Sequence, residues 1–353
     1  MEKEDHLSNE VSISAEMTEN GVKASAKSRF LSALDRLCGN IAEIGNAHLE
    51  GFASRRRAKT EGEVTLIKET AQYGVHKLEH DSVFAERAFN NQYQKTLRLQ
   101  ANKDAVVQGA LQDLRNSPVS EEDDNAGPHE LNDEFLNRFE RYAEDASTEE
   151  LQQRWSKVLA GEIRKPGTFN RKVLRAVDEL EPETAILFQR VAQFSLGGVL
   201  PICLTGKLTF DEQAALISSG LMLDPGLGHW RLYNKLMAGS TEHWLCNLGE
   251  YAIAFPVVTE GVTTSDDEDS ALGKHGESFA FPVYALTDVG KVVGSIIPDQ
   301  KFSAFSQYVD KLAKHVPAAS LIPYRMDREA NMWIKMGTPD YFAKWPNTSP
   351  QPG

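Results

Sequence analysis

The first 117 residues contain no proline, although the 353-residue chain holds 15. Proline breaks helix interiors, so this absence leaves the first third free to run as long helices. Cysteine is scarce as well: Cys38, Cys203 and Cys246 are odd in number, far apart and without metal-ligand spacing. That excludes a disulfide framework and a cysteine zinc site, and points to reduced thiols in a cytosolic protein. Long hydrophobic runs are missing. The longest uncharged stretch, around Phe194–Gly206, is short and broken by Gly197, Gly198 and Pro201, so no transmembrane segment is expected. The acidic, polar start Met1–His6 lacks the basic-then-apolar order of a signal peptide, and a cytoplasmic location is expected. Neither the phosphate loop G-x-x-x-x-G-K-[ST] nor the hydrolase elbow G-x-S-x-G occurs. Gly226-x-Gly228 lacks the third glycine of a dinucleotide fingerprint and reads as a hairpin turn. No catalytic residue, cofactor or bound metal is expected.

The net charge is −13, with residues 1–115 close to neutral and the remainder carrying nearly all of the deficit. A globally acidic chain is repelled by phosphate backbones unless a local basic patch overrides it, so nucleic acid is not the favoured partner.

Residues 1–28 read as a short hairpin or a disordered leader, because Val11, Ile13 and Ala15, then Val22, Ala24 and Ala26, alternate on either side of Asn20-Gly21. From Phe30 the apolar period changes to three and four (Phe30, Leu34, Leu37, Ile41, Ile44). Residues 29–115 therefore read as a long helical arm rich in Glu, Lys, Arg, Gln and Ala. Its sparse apolar stripe cannot build a core alone, so pairing as a hairpin, homo-oligomerisation or a protein partner is expected through these helices. Residues 116–129 form an acidic linker. Residues 130–200 read as a central helical domain: a stripe of Leu131, Phe135, Phe139 and Tyr142, a capping box of Ser147 with Glu150, a face of Leu151, Trp155, Val158 and Leu159, and a cap at Thr168. Pro182 sits at the first turn of a further helix.

Over 201–345, helix Phe210–Leu221, strand-like segments, the apolar run Trp244–Val258, a mobile loop over 259–277, a strand Phe279–Ala285 and the helix start Leu286-Thr287-x-x-Gly290 together resemble a winged-helix module. The tail 346–353 reads as disordered. The expected fold class is mainly α with a small β component: a long N-terminal helical arm, a central helical domain and a winged-helix-like α+β C-terminal domain.

Two clusters invite a chemical reading. His76-Lys77-Leu78-Glu79-His80 matches the H-x-x-E-H string of inverted zinc proteases, with two imidazoles one helical turn apart, and would support a metal-dependent hydrolase. Its surroundings are polar and offer no third ligand, so an exposed helix face is favoured. Arg55, Arg56, Arg57 and Lys59 form the one dense basic cluster, able to contact phosphate or an acidic partner, or to pair with Glu50, Glu61 and Glu63 on its own helix. A nucleic-acid-binding regulator would use this cluster and the winged module. Against it, helix 210–221 carries Asp211 and Glu212 but no Lys or Arg.

The stretch Glu149-Glu150-Leu151-Gln152-x-x-Trp155-x-x-x-Leu159-Ala160-Gly161-Glu162-Ile163, then Pro166-Gly167-x-Phe169 and Leu180-x-Pro182-x-x-Ala185, resembles a family of uncharacterised bacterial proteins classed only as a domain of unknown function. That resemblance extends over most of the chain, to Leu286, Thr287 and Gly290. About sixty residues are also similar in pattern to the abortive-infection alpha family. Such families imply prophages, mobile islands and defence against phage. Neither resemblance supplies a catalytic residue, and Trp155, Leu159 and Gly161 are accounted for by packing. The leading expectation is a bacterial anti-phage or mobile-element protein acting through protein–protein contacts.

Overall fold

The computed structural model describes residues 24–38, 82–117, 128, 130–226, 228–238, 240–327 and 331–337. The chain divides into two compact units, Met1–Arg171 and Lys172–Gly353, so the division falls inside the span 130–200 expected as one domain.

The first unit is helical: α1 (Ala24–Cys38), α2 (Ser82–Asn116), α3 (Asp133–Asp145) and α4 (Glu149–Arg164). In α1 the three-and-four spacing buries Ala26, Phe30, Ala33, Leu34 and Leu37. Ala24 and Ala26 are therefore helical and not part of a hairpin strand; the rest of that expected hairpin lies outside the described residues. Proline-free α2 runs for 35 residues, and its apolar stripe is concentrated after Asn102, where Val106, Val107, Ala110, Leu111 and Leu114 are buried. This half packs chiefly on α4, then on α3 and α1. In this half of α2 the stripe is covered within the unit, where arm and central helices share a core, whereas Tyr93 and Leu97 in the first half stay exposed. Asn132 caps α3 by accepting from the Glu134 amide at 2.7 Å. The cap of α4 is Thr148, accepting from the Leu151 amide at 3.3 Å, one residue beyond the expected Ser147. Thr168 caps no helix; its hydroxyl donates to the Lys165 carbonyl at 2.7 Å.

The second unit overturns the expected fold class. After α5 (Arg171–Asp178, whose first residue closes the first unit) and α6 (Pro182–Ala192, with proline at its first turn), strands dominate. Nine strands lie among the described residues, in two antiparallel sheets, so the β component is not small and the architecture is not clearly winged-helix. One sheet is built on β7 (Ser278–Ala285), which pairs with β1 (Val199–Pro201), β2 (His229–Leu232) and β6 (Gly273–His275). The other runs in the order β3 (Asn234–Ala238), β4 (Thr241–Asn247), β5 (Tyr251–Pro256), β8 (Ile322–Asp327) and β9 (Met332–Lys335). The short α7 (Ile202–Thr205), α8 (Phe210–Ser218) and α9 (Asp288–Gly294) flank the strands, and α10 (Lys301–Leu312) contributes Phe305, Tyr308, Val309 and Leu312 to the core.

The reason for the misreading is local. Tyr251–Phe255 is buried at every position, so it shows no period-two alternation, whereas all five residues of β3 are exposed, so no apolar face marks the strand. The segment expected as a mobile loop, 259–277, contains β6 and the buried residues Ser270, Ala271 and Leu272.

Candidate functional site

Glu162, Arg29 and Arg164 concentrate polar chemistry at the end of α4. Glu162 is only 2% exposed. Its two carboxylate oxygens accept from the Gly167 amide at 2.6 Å and the Phe169 amide at 2.8 Å. Burial raises its pKa above the usual carboxylate value, and these backbone bonds oppose the rise. Arg29, fully buried on α1, donates to the carbonyls of Pro128 at 2.8 Å and Ile163 at 2.9 Å, placing a cation at the C-terminal end of α4. Arg164 repeats the device on α2: it donates to the Asp113 carbonyl at 2.8 Å, the Ser117 carbonyl at 3.1 Å and the Asp113 carboxylate at 2.5 Å. With both Glu162 oxygens engaged by amides, the node is a clamp on helix ends and the following turn rather than an open acid–base site.

The other residues singled out in the sequence fall as follows. Trp155, Leu159 and Ala160 are buried in α4, with Trp155 stacked on Tyr142 at 4.6 Å between ring centroids and edge-on to Phe139 at 5.8 Å. The Gly161 carbonyl accepts from the Lys165 amide at the helix end, and Pro166 and Gly167 form the turn that Glu162 holds. Leu286, Thr287 and Gly290 lie in the other unit. The Thr287 hydroxyl accepts from the Gly290 amide at 2.9 Å and donates to the Gly220 carbonyl at 2.5 Å. A Cβ at Gly290 would collide with the Leu221 carbonyl, so only glycine lets α9 approach the end of α8. Arg55, Arg56, Arg57, Lys59, His76 and His80 lie outside the described residues.

Within the second unit, Tyr233 and Tyr308 are wholly buried with their hydroxyls 2.8 Å apart, and Tyr308 also donates to the Ala271 carbonyl at 3.2 Å. Burial pushes the Cys203 and Cys246 thiols up to about 12, which makes them inert at neutral pH. A shallow cleft lined by Asp267, Asp269, Lys311, Lys314 and His315 brings both charge signs together and lacks the apolar walls typical of small-molecule sites. Among the described residues no cluster of three His, Cys, Asp or Glu could hold a metal ion, and no helix is long and apolar enough to cross a membrane.

The five-stranded sheet also presents an exposed edge. Among the described residues β3 ends the five-stranded sheet, and its Leu236 and Met237 are 53% and 60% exposed. The far edge, β9, exposes Met332 and Ile334. Residues that sequence reasoning missed divide accordingly. Nothing in the spacing of Arg29 and Arg164 announces a helix-end partner. The exposed apolar pair in β3 was visible, but only strand assignment gives it meaning.

Residues 86–198 match the model of a family described as a protein of unknown function (DUF2806). The matched stretch is similar to a family without an assigned activity. It spans α4 with Trp155, Leu159, Glu162 and Arg164, and it runs past the end of the first unit to Gly198. No curated protein and no solved structure matches the chain.

Proposed function

We propose that this chain acts through protein–protein contacts, in bacterial defence against phage or in competition between mobile elements. The observation that carries the contact reading is β3: an edge strand, exposed along its whole length, presenting Leu236 and Met237. Natural sheets blunt such edges with charges, prolines, bulges or covering segments, because an open edge is a template for another strand. Here one charge, Lys235, is the sole blunting device on the strand, and its ammonium sits 5.0 Å from the Trp244 ring. Strand addition to an open edge draws affinity from main-chain hydrogen bonds and specificity from alternate side chains. The defence setting is supported by the resemblance of the Glu149–Ile163 stretch to the abortive-infection alpha pattern.

The test is phage plating on cells with the gene, without it, and with Met237→Pro. The expected result is protection by the wild-type gene, lost in the variant while the purified variant keeps its circular dichroism spectrum. Equal plating with and without the wild-type gene would overturn the defence setting. Full protection by Met237→Pro would overturn the role of the edge.

A further inference from the structure

We propose that the occupant of the β3 edge is a second copy of this chain, paired antiparallel through β3 about Leu236 so that the two five-stranded sheets become one continuous sheet. This deepens the contact reading and rests on it.

The backbone register selects this pairing. The Glu242 carbonyl accepts from the Val257 amide at 2.8 Å, so Glu242 directs its main-chain groups toward β5 and away from β3. Its partner across the hairpin is Met237. In an antiparallel ladder hydrogen-bonded and non-hydrogen-bonded pairs alternate, so Met237 and, two residues away, Lys235 aim their amides and carbonyls out of the sheet. A second β3 related by a two-fold axis at Leu236 sets Lys235 opposite Met237 of the other copy, twice. All four outward amide–carbonyl sets are then satisfied by the closely spaced bonds of such pairs.

The side chains agree with that register. Leu236 meets its own symmetry mate in a non-hydrogen-bonded pair, where side chains approach most closely, and each covers the other's exposed surface. On the opposite face Lys235 lies against Met237 of the second copy, whose cross-strand neighbour is Glu242. Two strand spacings, roughly 10 Å between Cα atoms, are within reach of a Lys and a Glu extended toward each other. On leaving the Trp244 ring of its own chain, each lysine therefore gains a carboxylate in the other copy. Pairing centred on Lys235 would set two like charges directly opposite.

The experiment measures the mass of the full chain in solution by light scattering and sedimentation. Wild-type protein is expected at twice the chain mass of 39.2 kDa. Met237→Pro removes an outward amide but no β3–β4 bond, and is expected to run as a monomer with the melting temperature that the wild-type chain shows when diluted to monomer. Lys235→Glu and Glu242→Lys are each expected to weaken the dimer at least tenfold. Mixed in equal amounts they should recover it. In the mixed pair the acid introduced at position 235 of one copy faces the ammonium introduced at position 242 of the other, and the retained Lys235 faces the retained Glu242. Recovery on mixing excludes a simple folding defect. A monomeric wild-type chain at tens of micromolar would overturn the proposal, as would a dimer that Met237→Pro leaves intact, or single variants whose mixture stays monomeric. If the wild-type chain is monomeric and Met237→Pro still abolishes protection in cells, the copy-pairing fails while the contact reading stands, with a different protein on the edge.

Discussion

Among the described residues, Ser25, Arg29, Asn102, Lys103, Ser156 and Glu162 are the buried polar or charged side chains of the helical unit, whereas the sheet unit contributes Ser270 and tyrosine hydroxyls such as the Tyr233–Tyr308 pair. Aromatic contacts show the reverse weighting. Among the described residues, three ring pairs cluster at Phe135, Phe139, Tyr142 and Trp155 in the first unit, against eight in the second, three of which join the sheets to α10. The two units solve the same problem by different means. Helix ends leave four carbonyls without partners, and the first unit answers with side chains from neighbouring helices: Arg29 on α4, Arg164 on α2 and Asn102 on the Glu144 carbonyl of α3 at 2.7 Å. In the second unit the strands pair their own backbone, so the interior can be apolar and aromatic. Buried polar contacts of the first kind are directional and fix which helix lies where. Aromatic packing supplies more burial per residue with looser orientation.

The comparison yields a ranked set of tests, read by hydrogen exchange resolved by unit. The largest effect is expected for Trp155→Ala, which removes a side chain 2% exposed in the first unit and should cost about 3–5 kcal/mol there. A normal melting curve would show that this ring is not an anchor. Next is Arg29→Met, which keeps the length of the side chain but leaves the Pro128 and Ile163 carbonyls without their donor. A loss of about 3 kcal/mol is expected, confined to the helical unit. A neutral or stabilising outcome would mean that apolar packing alone orients α1, and the contrast between the units would collapse.

Gly109→Ala sharpens the point at one helix crossing. Alanine in a helix interior is normally favoured over glycine by roughly 1 kcal/mol, but here the new Cβ would collide with the Ser156 hydroxyl of α4. Ser156 itself donates to the Val106 carbonyl of α2 at 2.9 Å, so the close approach and the hydrogen bond belong together. A net destabilisation of about 1–3 kcal/mol is expected. In a double-mutant cycle with Ser156→Gly the two changes should be strongly non-additive. Simple additivity would separate the glycine from the serine.

The smallest effect is expected from alkaline pH on the second unit. Its two buried thiols hold their protons to about 12, against an ordinary value of 9.0. Between those values the native state binds more protons than the unfolded chain. Stability is therefore full below pH 9 and falls as pH rises toward 12, by roughly 1 kcal/mol per thiol near pH 10. Denaturant melts at pH 8 and pH 10 should show this slope, and replacing Cys203 and Cys246 by Ala should flatten it. An unchanged slope in that variant would locate the alkaline sensitivity elsewhere.

How much of this could be read from the chain follows the same division. The spacing of Phe30, Leu34 and Leu37, the run Trp155–Val158–Leu159 and the proline at Pro182 located helices, because one helix writes its period locally. Thr287 and Gly290 marked a helix start for the same reason, although the need for glycine against Leu221 required the tertiary structure. The sheets were not legible. β5 is covered on both faces and β3 on neither, and β5 pairs with β8, whose residues lie about seventy positions further along the chain (Tyr251 opposite Arg325). Arg29 meets carbonyls 99 and 134 positions further along the chain, a relation no local pattern encodes.

The central claim is that the outward backbone of β3 is covered by another strand. Amide hydrogen exchange of the full chain across a concentration series tests it at the two residues concerned. The account predicts that the Lys235 and Met237 amides exchange freely in dilute protein and become protected at least tenfold as concentration rises, in step with the mass measured by light scattering. Free exchange at both amides at every concentration would contradict it.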